Sequence, residues 1–233
     1  MLKNLPYFVI DIETTGLDPD ICNILQFSAI YEDPSKQLSF EEIPKFNRYL
    51  KHDEYQGQEY ALWLNSEILL KLSKYKNGWS DEEKKKSEIV TSYTQLFDDF
   101  RWWVRDVLNK HNDKQIHINC AGKNFASFDL QFIKMGLRQT DENNYQIRFR
   151  HKILDPAILY VNDEDETLPG LEICLERAGI KREIQKDGSI ITHDALLDNW
   201  DVIQLFRNKY DQCNIDQRLL PEPQNLQQLS TKE

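Results

Sequence analysis

Two carboxylates end an otherwise apolar segment near the start of the chain. Residues 7–12 read YFVIDI, and Asp11 and Glu13 stand at the end of this run. A run of this kind predicts a strand that is buried on both faces near the centre of a sheet. Strand side chains alternate, so the two carboxylates share one face, about 7 Å apart. Burying two like charges is costly without a cation, so the pair indicates a divalent-metal site, unless the strand end already lies in solvent.

Two later segments each place an acidic residue in the first turns of a predicted helix. Asp129 ends the segment NFASFD, in the first turns of a predicted helix, where an ordinary role would be stabilising the helix dipole. His193 and Asp198 open and close the segment HDALLD. Residues five positions apart do not share a helix face, so His193 is predicted in a loop and Asp198 in the first turns of the helix that follows. By itself, His193 also fits a structural or surface histidine.

Together, the three segments resemble the DEDDh family of 3′→5′ exonucleases, which includes polymerase III proofreading subunits, oligoribonuclease and RNase T. The motifs occur in the family's order as DIETTG at 11–16, NFASFD at 124–129 and HDALLD at 193–198. The last of these matches the pattern H-x-A-x-x-D. The chain departs from the family in the length between the first and second motifs. The extra residues fall at about 53–86, within a helical elaboration predicted at about 53–111.

The resemblance implies a two-metal hydrolysis of phosphodiester bonds. Asp11, Glu13, Asp129 and Asp198 would hold two Mg²⁺ or Mn²⁺ ions, and His193 would act as the general base towards a metal-activated water. The substrate would be the 3′ end of a single-stranded nucleic acid, either DNA or RNA, and the products 5′-nucleoside monophosphates. We expect the neighbouring carboxylates to shift the pKa of His193 upward.

The resemblance also implies four substrate-binding residues, Thr14, Leu17, Asn124 and Phe125. Leu17 is placed where related enzymes press an apolar side chain against the terminal base, although ordinary core packing would explain it equally well. Phe125 could stack on a base or belong to the core.

The composition limits how a nucleic acid could be held. The chain carries 29 basic and 39 acidic residues, a net charge of −10. Such a surface does not attract nucleic acid by bulk electrostatics, so we expect contacts with only a few terminal nucleotides. The four cysteines are widely spaced and predict reduced thiols rather than a zinc site. Without a secretory signal or a membrane-spanning run, we expect a cytoplasmic protein with no membrane partner; its protein partners are unknown.

Two other functions are open at this point. A strand that ends in Asp-x-Glu also opens the haloacid-dehalogenase-type phosphatases, but those need a later acidic pair after a strand, and Asp98-Asp99 falls within a predicted helix. The domain could instead be a non-catalytic nucleic-acid or polymerase-associated interaction module, a reading that the intact set of five residues disfavours.

The segments that must position these residues show either the hydrophobic period of a strand or that of a helix. The sequence predicts a single α/β domain over 1–213, with a ribonuclease H-like mixed sheet flanked by helices. Strands are predicted at 7–12, 24–31, 38–42, 46–50, 116–120, 145–149 and 152–154. Helices are predicted at 61–72, 126–135, 168–178 and 195–210, with the longest helix beginning at the capping box of Ser80 and running to Leu108. Gly136 is expected to stop the helix before it, and 214–233 to form an extended or disordered tail.

Overall fold

The computed structural model describes residues 5–140, 146–182 and 193–219. In this part of the chain the backbone forms seven strands and eight helices. The strands are β1 (Tyr7–Thr14), β2 (Ile24–Glu32), β3 (Lys45–Leu50), β4 (Ile89–Val90), β5 (Ile116–Ile118), β6 (Cys120–Ala121) and β7 (Ile147–Phe149). The helices are α1 (Glu59–Leu64), α2 (Ser66–Ser73), α3 (Asp81–Ser87), α4 (Tyr93–Leu108), α5 (Asp129–Arg138), α6 (Ala157–Tyr160), α7 (Leu171–Ala178) and α8 (Ala195–Leu219).

The central sheet is mixed, as the sequence predicted. Its strand order is β4-β3-β2-β1-β6. β1 pairs with β2 in the antiparallel sense and with β6 in the parallel sense, so both edges of its backbone are hydrogen-bonded. This confirms β1 as an interior strand. β5 and β7 form a separate parallel pair.

Successive side chains of β1 point to opposite faces of the sheet, and each face packs against a different layer of helices. The even-numbered side chains lie in a core with α4 and α5, whose buried members include Phe8, Ile10, Ile12, Phe97, Phe100 and Phe132. The odd-numbered Tyr7 and Val9 lie in a second core with Ile203 and Phe206 of α8. Because the period of a strand is two, Asp11 and Glu13 also face the α8 side.

The helix expected to begin at Ser80 is much shorter than predicted. The capping box is present, since the Glu83 carboxylate accepts from the Ser80 N–H at 2.7 Å. However, α3 ends at Ser87. The next residue, Glu88, has a left-handed φ of 60°, and Ile89 begins β4 beside β3. The apolar spacing from Ile89 to Leu108 therefore runs across two elements, β4 and α4, and the strand pairing of two β-branched residues overrides it. The elaboration at about 53–111 thus adds an edge strand to the sheet as well as four helices.

Gly136 lies inside α5 rather than at its end. A Cβ there would lie 2.7 Å from a ring atom of Tyr93 and 3.0 Å from one of Phe97. The glycine therefore permits close packing of α5 against α4, and the expected stop at this residue is wrong.

Other boundaries also differ from the predictions. Residues 38–42 do not form a strand: 40–42 form a turn, with the Ile43 N–H donating to the Ser39 carbonyl at 3.0 Å. Residues 152–154 contribute only a bridge between Leu154 and Ala121. The predicted strand at 116–120 divides into β5 and β6 in different sheets. α8 continues to Leu219, so the first six residues of the expected tail are helical. Residues 220–233 and Tyr145 lie outside the described residues.

No helix in the described ranges combines the length and the apolar character that crossing a bilayer demands.

Candidate metal centre

Three carboxylates meet where β1 passes beneath the first turns of α8. One oxygen from each of Asp11, Glu13 and Asp198 lies within 4.8 Å of the others. β1 supplies the first two from its α8-facing side, and the third is the fourth residue of α8. Carboxylate oxygens at this spacing are ligands that Mg²⁺, Mn²⁺ and Ca²⁺ accept.

Asp129 adjoins this group from the opposite side of β1. It is the first residue of α5, is 1% exposed, and accepts a hydrogen bond from the Ile12 backbone N–H at 3.1 Å. Its carboxyl is also hydrogen-bonded to the side chain of Asp11. The structure therefore brings together all four carboxylates that the sequence singled out. Asp129 joins the group through its hydrogen bond to Asp11.

Burial and mutual repulsion raise the pKa values of these carboxyls. Desolvation is the main cause for each of the four. It raises the pKa of Glu13 to about 8 and those of Asp129 and Asp198 to about 7. The pKa of Asp11 is raised well above its usual range, first by burial and then by the neighbouring carboxylates. The site therefore takes up protons readily, which is the behaviour of a cation site.

Asp198 differs from the others because a guanidinium holds it. Arg182 donates to Asp198 Oδ1 at 2.7 Å and to Asp201 Oδ2 at 2.6 Å, and it also pairs with Glu172 at 2.6 Å. The Arg182 side chain is only 10% exposed. Its charge opposes the rise in the pKa of Asp198. In the part of the chain that the structure describes, no basic side chain forms such an ion pair with Asp11 or Glu13.

The start of α8 is fixed by polar contacts to the sheet. Asp194 Oδ1 accepts from the backbone N–H groups of Leu196 and Leu197 at 2.9 and 3.2 Å, which is helix N-capping. Gln26, directly opposite Glu13 in the β1–β2 register, is fully buried and its Oε1 accepts from the Ala195 N–H at 3.3 Å. These hydrogen bonds fix the position of the first turn of α8, and therefore of Asp198, relative to the sheet.

His193 lies in the loop before α8, as its spacing from Asp198 predicted. Its φ is 62°, a left-handed conformation, and its side chain is exposed. The pKa of the imidazole is lowered from its usual value, first because the surrounding protein removes part of its hydration and then by the charge of Arg182. The expected upward shift is therefore wrong, because the loss of hydration and the charge of Arg182 together outweigh the carboxylate of Glu172.

The helical elaboration contributes a buried amide to the site. Asn65 joins α1 to α2, is 3% exposed, and donates to the Thr14 carbonyl at 3.1 Å. Hydrogen bonding to this amide opposes the rise in the pKa of Glu13. At the mouth of the site, Lys123 lines a cavity of about 110 Å³ together with Asp11 and Asp198.

The four predicted substrate-binding residues have different environments. Leu17 is 70% exposed, which excludes the core-packing interpretation. Thr14 is buried and its hydroxyl donates to the Gly16 carbonyl at 2.7 Å. Asn124 is exposed with a φ of 60°, and its N–H donates to the Asp155 carboxylate at 3.0 Å.

Phe125 is a core residue. It is fully buried, and its ring lies 6.1 Å from that of Phe149. It offers no face to a base, so its assignment to substrate binding is wrong.

Sequence reasoning missed three residues that hold the site in place: Arg182, Asn65 and Gln26. For Gln26 the available signal was its polarity inside the buried strand β2. Arg182 and Asn65 carry no local pattern, because their partners lie in distant parts of the sequence.

Comparison with known proteins gives structural matches alone. No protein-family model matches the chain, and no curated protein sequence matches it. An exonuclease I structure, from a study of how processivity is achieved, aligns with a TM-score of 0.55 and 15% identity, over 89% of this chain and 41% of its own. E. coli exonuclease I with a dT13 oligonucleotide aligns with a TM-score of 0.52 and 18% identity, over 92% and 43%. The zinc-bound complex of E. coli exonuclease I with single-stranded DNA gives 0.53 and 18%, over 92% and 42%.

The chain spans less than half the length of these exonuclease I chains. At such identities the likeness concerns the fold, and it confirms the predicted ribonuclease H-like α/β architecture with a mixed sheet flanked by helices.

Proposed function

We propose that this protein is a metal-dependent 3′→5′ exonuclease of the DEDDh type, which hydrolyses single-stranded DNA or RNA from its 3′ end. The observation that carries the proposal is the meeting of Asp11, Glu13 and Asp198 within 4.8 Å at the end of an interior strand. The shared fold with exonuclease I supports it. The sequence motifs provide the remaining support, because their four carboxylates converge in space.

The donor set fits a pair of divalent ions. The carboxylates are buried, mutually repelling and raised in pKa, so a cation would relieve an unfavourable arrangement. Asp11, Glu13, Asp129 and Asp198 would hold two Mg²⁺ or Mn²⁺ ions. When bound, such ions stabilise the attacking and leaving oxygens of an in-line phosphoryl displacement.

His193 serves as the general base in this proposal. Its lowered pKa keeps the imidazole neutral at pH 7, so a ring nitrogen is free to accept the proton of the attacking water. Its exposure allows the proton to pass on to solvent. Arg182 disfavours the protonated form, which helps the imidazole to return to its neutral state.

The substrate would approach along the loop that follows β1. Leu17, exposed beyond Gly16, would press against the terminal base. Thr14 shapes this loop through its hydrogen bond to the Gly16 carbonyl. Asn124, exposed near Lys123, would meet the sugar or phosphate of the terminal nucleotide. Hydrolysis would release a 5′-nucleoside monophosphate.

The phosphatase alternative lacks its acidic pair at the site. Asp98 and Asp99 lie on α4 and form ion pairs with Arg101 and Arg48, both at 2.8 Å. A non-catalytic interaction module would not need four buried carboxylates in one place, since their repulsion destabilises the metal-free fold.

The test is hydrolysis of 5′-labelled DNA and RNA oligonucleotides with Mg²⁺ or Mn²⁺, and again in excess EDTA. We expect a ladder of products shortened from the 3′ end, and no turnover in EDTA. A 3′-phosphate should block the reaction, because a free 3′ hydroxyl marks the end that is read. Undiminished turnover in EDTA would refute the metal requirement, and an unchanged rate on the 3′-phosphorylated strand would point to an endonuclease or a phosphatase.

A further inference from the structure

A row of polar side chains crosses the α8-facing side of the sheet, from the metal centre to the edge strand β4. Gln26 is directly opposite Glu13 in the β1–β2 register, and Asn47 follows on the neighbouring strand β3. Gln26 is fully buried and Asn47 is 8% exposed. Glu88 lies at the outer end of the row, immediately before β4. Because buried polar side chains are costly without partners, their hydrogen bonds determine how each of them is oriented.

The hydrogen bonds along this row all run in one direction. The ionised Glu88 carboxylate can only accept, and Asn47 Nδ2 donates to it at 3.2 Å. The carbonyl oxygen of Asn47 is thereby turned inward, where it accepts from Gln26 Nε2 at 3.0 Å. Gln26 Oε1 accepts in turn from the backbone N–H of Ala195 at 3.3 Å. The charge of Glu88 at the sheet edge therefore fixes the orientation of both amides and the acceptor that is offered to the start of α8.

At its inner end the row reaches the residues that follow His193. Gln26 Nε2 lies 3.4 Å from Asp194 Oδ1, the oxygen that caps α8. His193 itself has a left-handed φ of 62°. A residue other than glycine keeps such a conformation only where neighbouring contacts hold it, and the contacts of Asp194 and Ala195 are directly adjacent. The row therefore stabilises the backbone conformation that presents His193.

The outer end of the row belongs to the helical elaboration at about 53–111. Lys71 on α2 pairs with Glu88 at 3.7 Å, and its ammonium lies 3.4 Å from the centroid of the Tyr49 ring. The side chains of Lys71 and Glu88 are 38% and 40% exposed, and ion pairs exposed to this degree contribute little to stability. The consequence of this pair is instead to hold the Glu88 carboxylate against Asn47.

We propose that Glu88 is a positioning residue for His193. It acts through the amides of Asn47 and Gln26 on the first turn of α8. This inference rests on the proposed function, in which His193 is the general base, and it gives the helical elaboration a part in the reaction. Asp198 is held separately by Arg182, so metal binding should depend little on this row.

The test is a double-mutant cycle between Glu88 and His193. Glu88→Leu should lower kcat by about 10–100-fold, because a misplacement of about 1 Å costs about 10²-fold, while KM and the Kd for Mn²⁺ should stay near those of the wild type. In a His193→Ala background, Glu88→Leu should lower kcat no further, because a positioning residue has no effect once the group that it positions is absent. Losses that multiply in the double variant would overturn the inference.

Two further variants separate the direction of the hydrogen bonds from the ion pair. Glu88→Gln keeps an oxygen that accepts from Asn47, so it should retain most of kcat. The exchange Glu88→Lys/Lys71→Glu keeps an ion pair but places a donor beside Asn47 Nδ2, so kcat should stay low. Recovery of kcat in this exchange would refute the directional role. Asp99→Leu is the matched control, since it removes an ion pair at 2.8 Å between the elaboration and Arg48 of β3, and it should leave kcat unchanged.

A spectroscopic readout separates this inference from the proposed function. The imidazole NMR signal of His193, assigned by its loss in His193→Ala, should shift in Glu88→Leu but not in Asp99→Leu, whether or not oligonucleotides are hydrolysed. A signal that does not move would overturn the inference even in an active exonuclease. If the signal shifts but the wild type hydrolyses no oligonucleotide, the proposed function fails and the link between Glu88 and His193 stands.

Discussion

The two halves of the candidate metal centre hold their carboxylates in opposite ways. The strand half consists of Asp11 and Glu13 on β1 with Asp129 beside them. Apart from the hydrogen bond between Asp11 and Asp129, the described hydrogen-bond partners of this half are neutral groups. The helix half consists of Asp198 and Asp201 on α8, which a buried guanidinium from Arg182 joins. The strand half lies on an interior strand, whereas the helix half begins next to the loop that carries His193.

The difference predicts which half of the site a metal ion would stabilise more. Like charges buried without a cation destabilise the fold, so the strand half gains stability when a cation enters. The helix half already contains the guanidinium of Arg182, which offsets part of the cost of burying Asp198. Metal binding is therefore expected to depend chiefly on the strand half, and the geometry of Asp198 chiefly on Arg182.

The largest expected effect is in the strand half. Asp11→Asn should lower kcat by at least about 10⁴-fold, because metal ions supply several kcal/mol of transition-state stabilisation and each 1.36 kcal/mol is tenfold in rate. The same change should raise the melting temperature of the metal-free protein at pH 8, because it removes one of the repelling charges. Calorimetry in EDTA checks the second result.

Asp99→Asn is the matched control, since this carboxylate pairs with Arg48 outside the site. It should leave the rate unchanged. A metal-free Asp11→Asn protein less stable than the wild type would contradict the charge imbalance assigned to the strand half.

The next effect concerns the histidine beside the helix half. His193→Ala should lower kcat by about 10²–10⁴-fold, the usual contribution of a positioned general base. Its affinity for Mn²⁺ should stay near that of the wild type, because His193 is not a ligand in this proposal. Residual activity should climb with pH as hydroxide replaces the missing base. Loss of Mn²⁺ binding as severe as in Asp198→Ala would make the histidine a ligand, and near-normal activity would remove it from the mechanism.

A smaller effect should follow from Arg182→Gln. Removing a guanidinium that joins buried carboxylates costs about 1–3 kcal/mol, or roughly 2–12 °C in melting temperature for a chain of this length. Mn²⁺ should raise the melting temperature more in this variant than in the wild type, because Asp198 then lacks its internal cation. Arg182→Lys should recover part of the stability. Equal stabilisation of both proteins by Mn²⁺ would show that the two halves do not differ as described.

A further effect is a pH dependence in the metal-free protein. The folded-state pKa of Glu13 is about 8 and those of Asp129 and Asp198 about 7, whereas unfolded carboxyls titrate near 4. Between these values the folded protein binds more protons than the unfolded chain, so stability should fall as pH rises from about 4 to about 8. Saturating Mn²⁺ should remove most of this slope. Thermal unfolding in EDTA across this range measures it, and a slope unchanged by Asp11→Asn would locate its source elsewhere.

The sequence predicted most reliably where a pattern is local and repeated. The apolar run at 7–12 correctly predicted an interior strand. The two-residue spacing of Asp11 and Glu13 correctly predicted that their carboxylates share one face. The spacing of His193 and Asp198 gave a loop followed by a helix. The capping box gave the start of α3 but not its end, because β4 is stabilised by its pairing with β3 rather than by any signal near Glu88.

Contacts between distant segments decided the rest. Phe125 lies within the second motif and Leu17 directly follows the first. Both are apolar, yet Phe125 is fully buried and Leu17 is 70% exposed, which depends on what packs above each of them. Arg182 reaches Asp198 only because α7 and α8 pack together. Local sequence sets backbone preference and the direction of side chains along an element. Packing between elements far apart in the chain decides which cation a carboxylate contacts. It also decides which helix face leaves Tyr60 and Trp63 exposed.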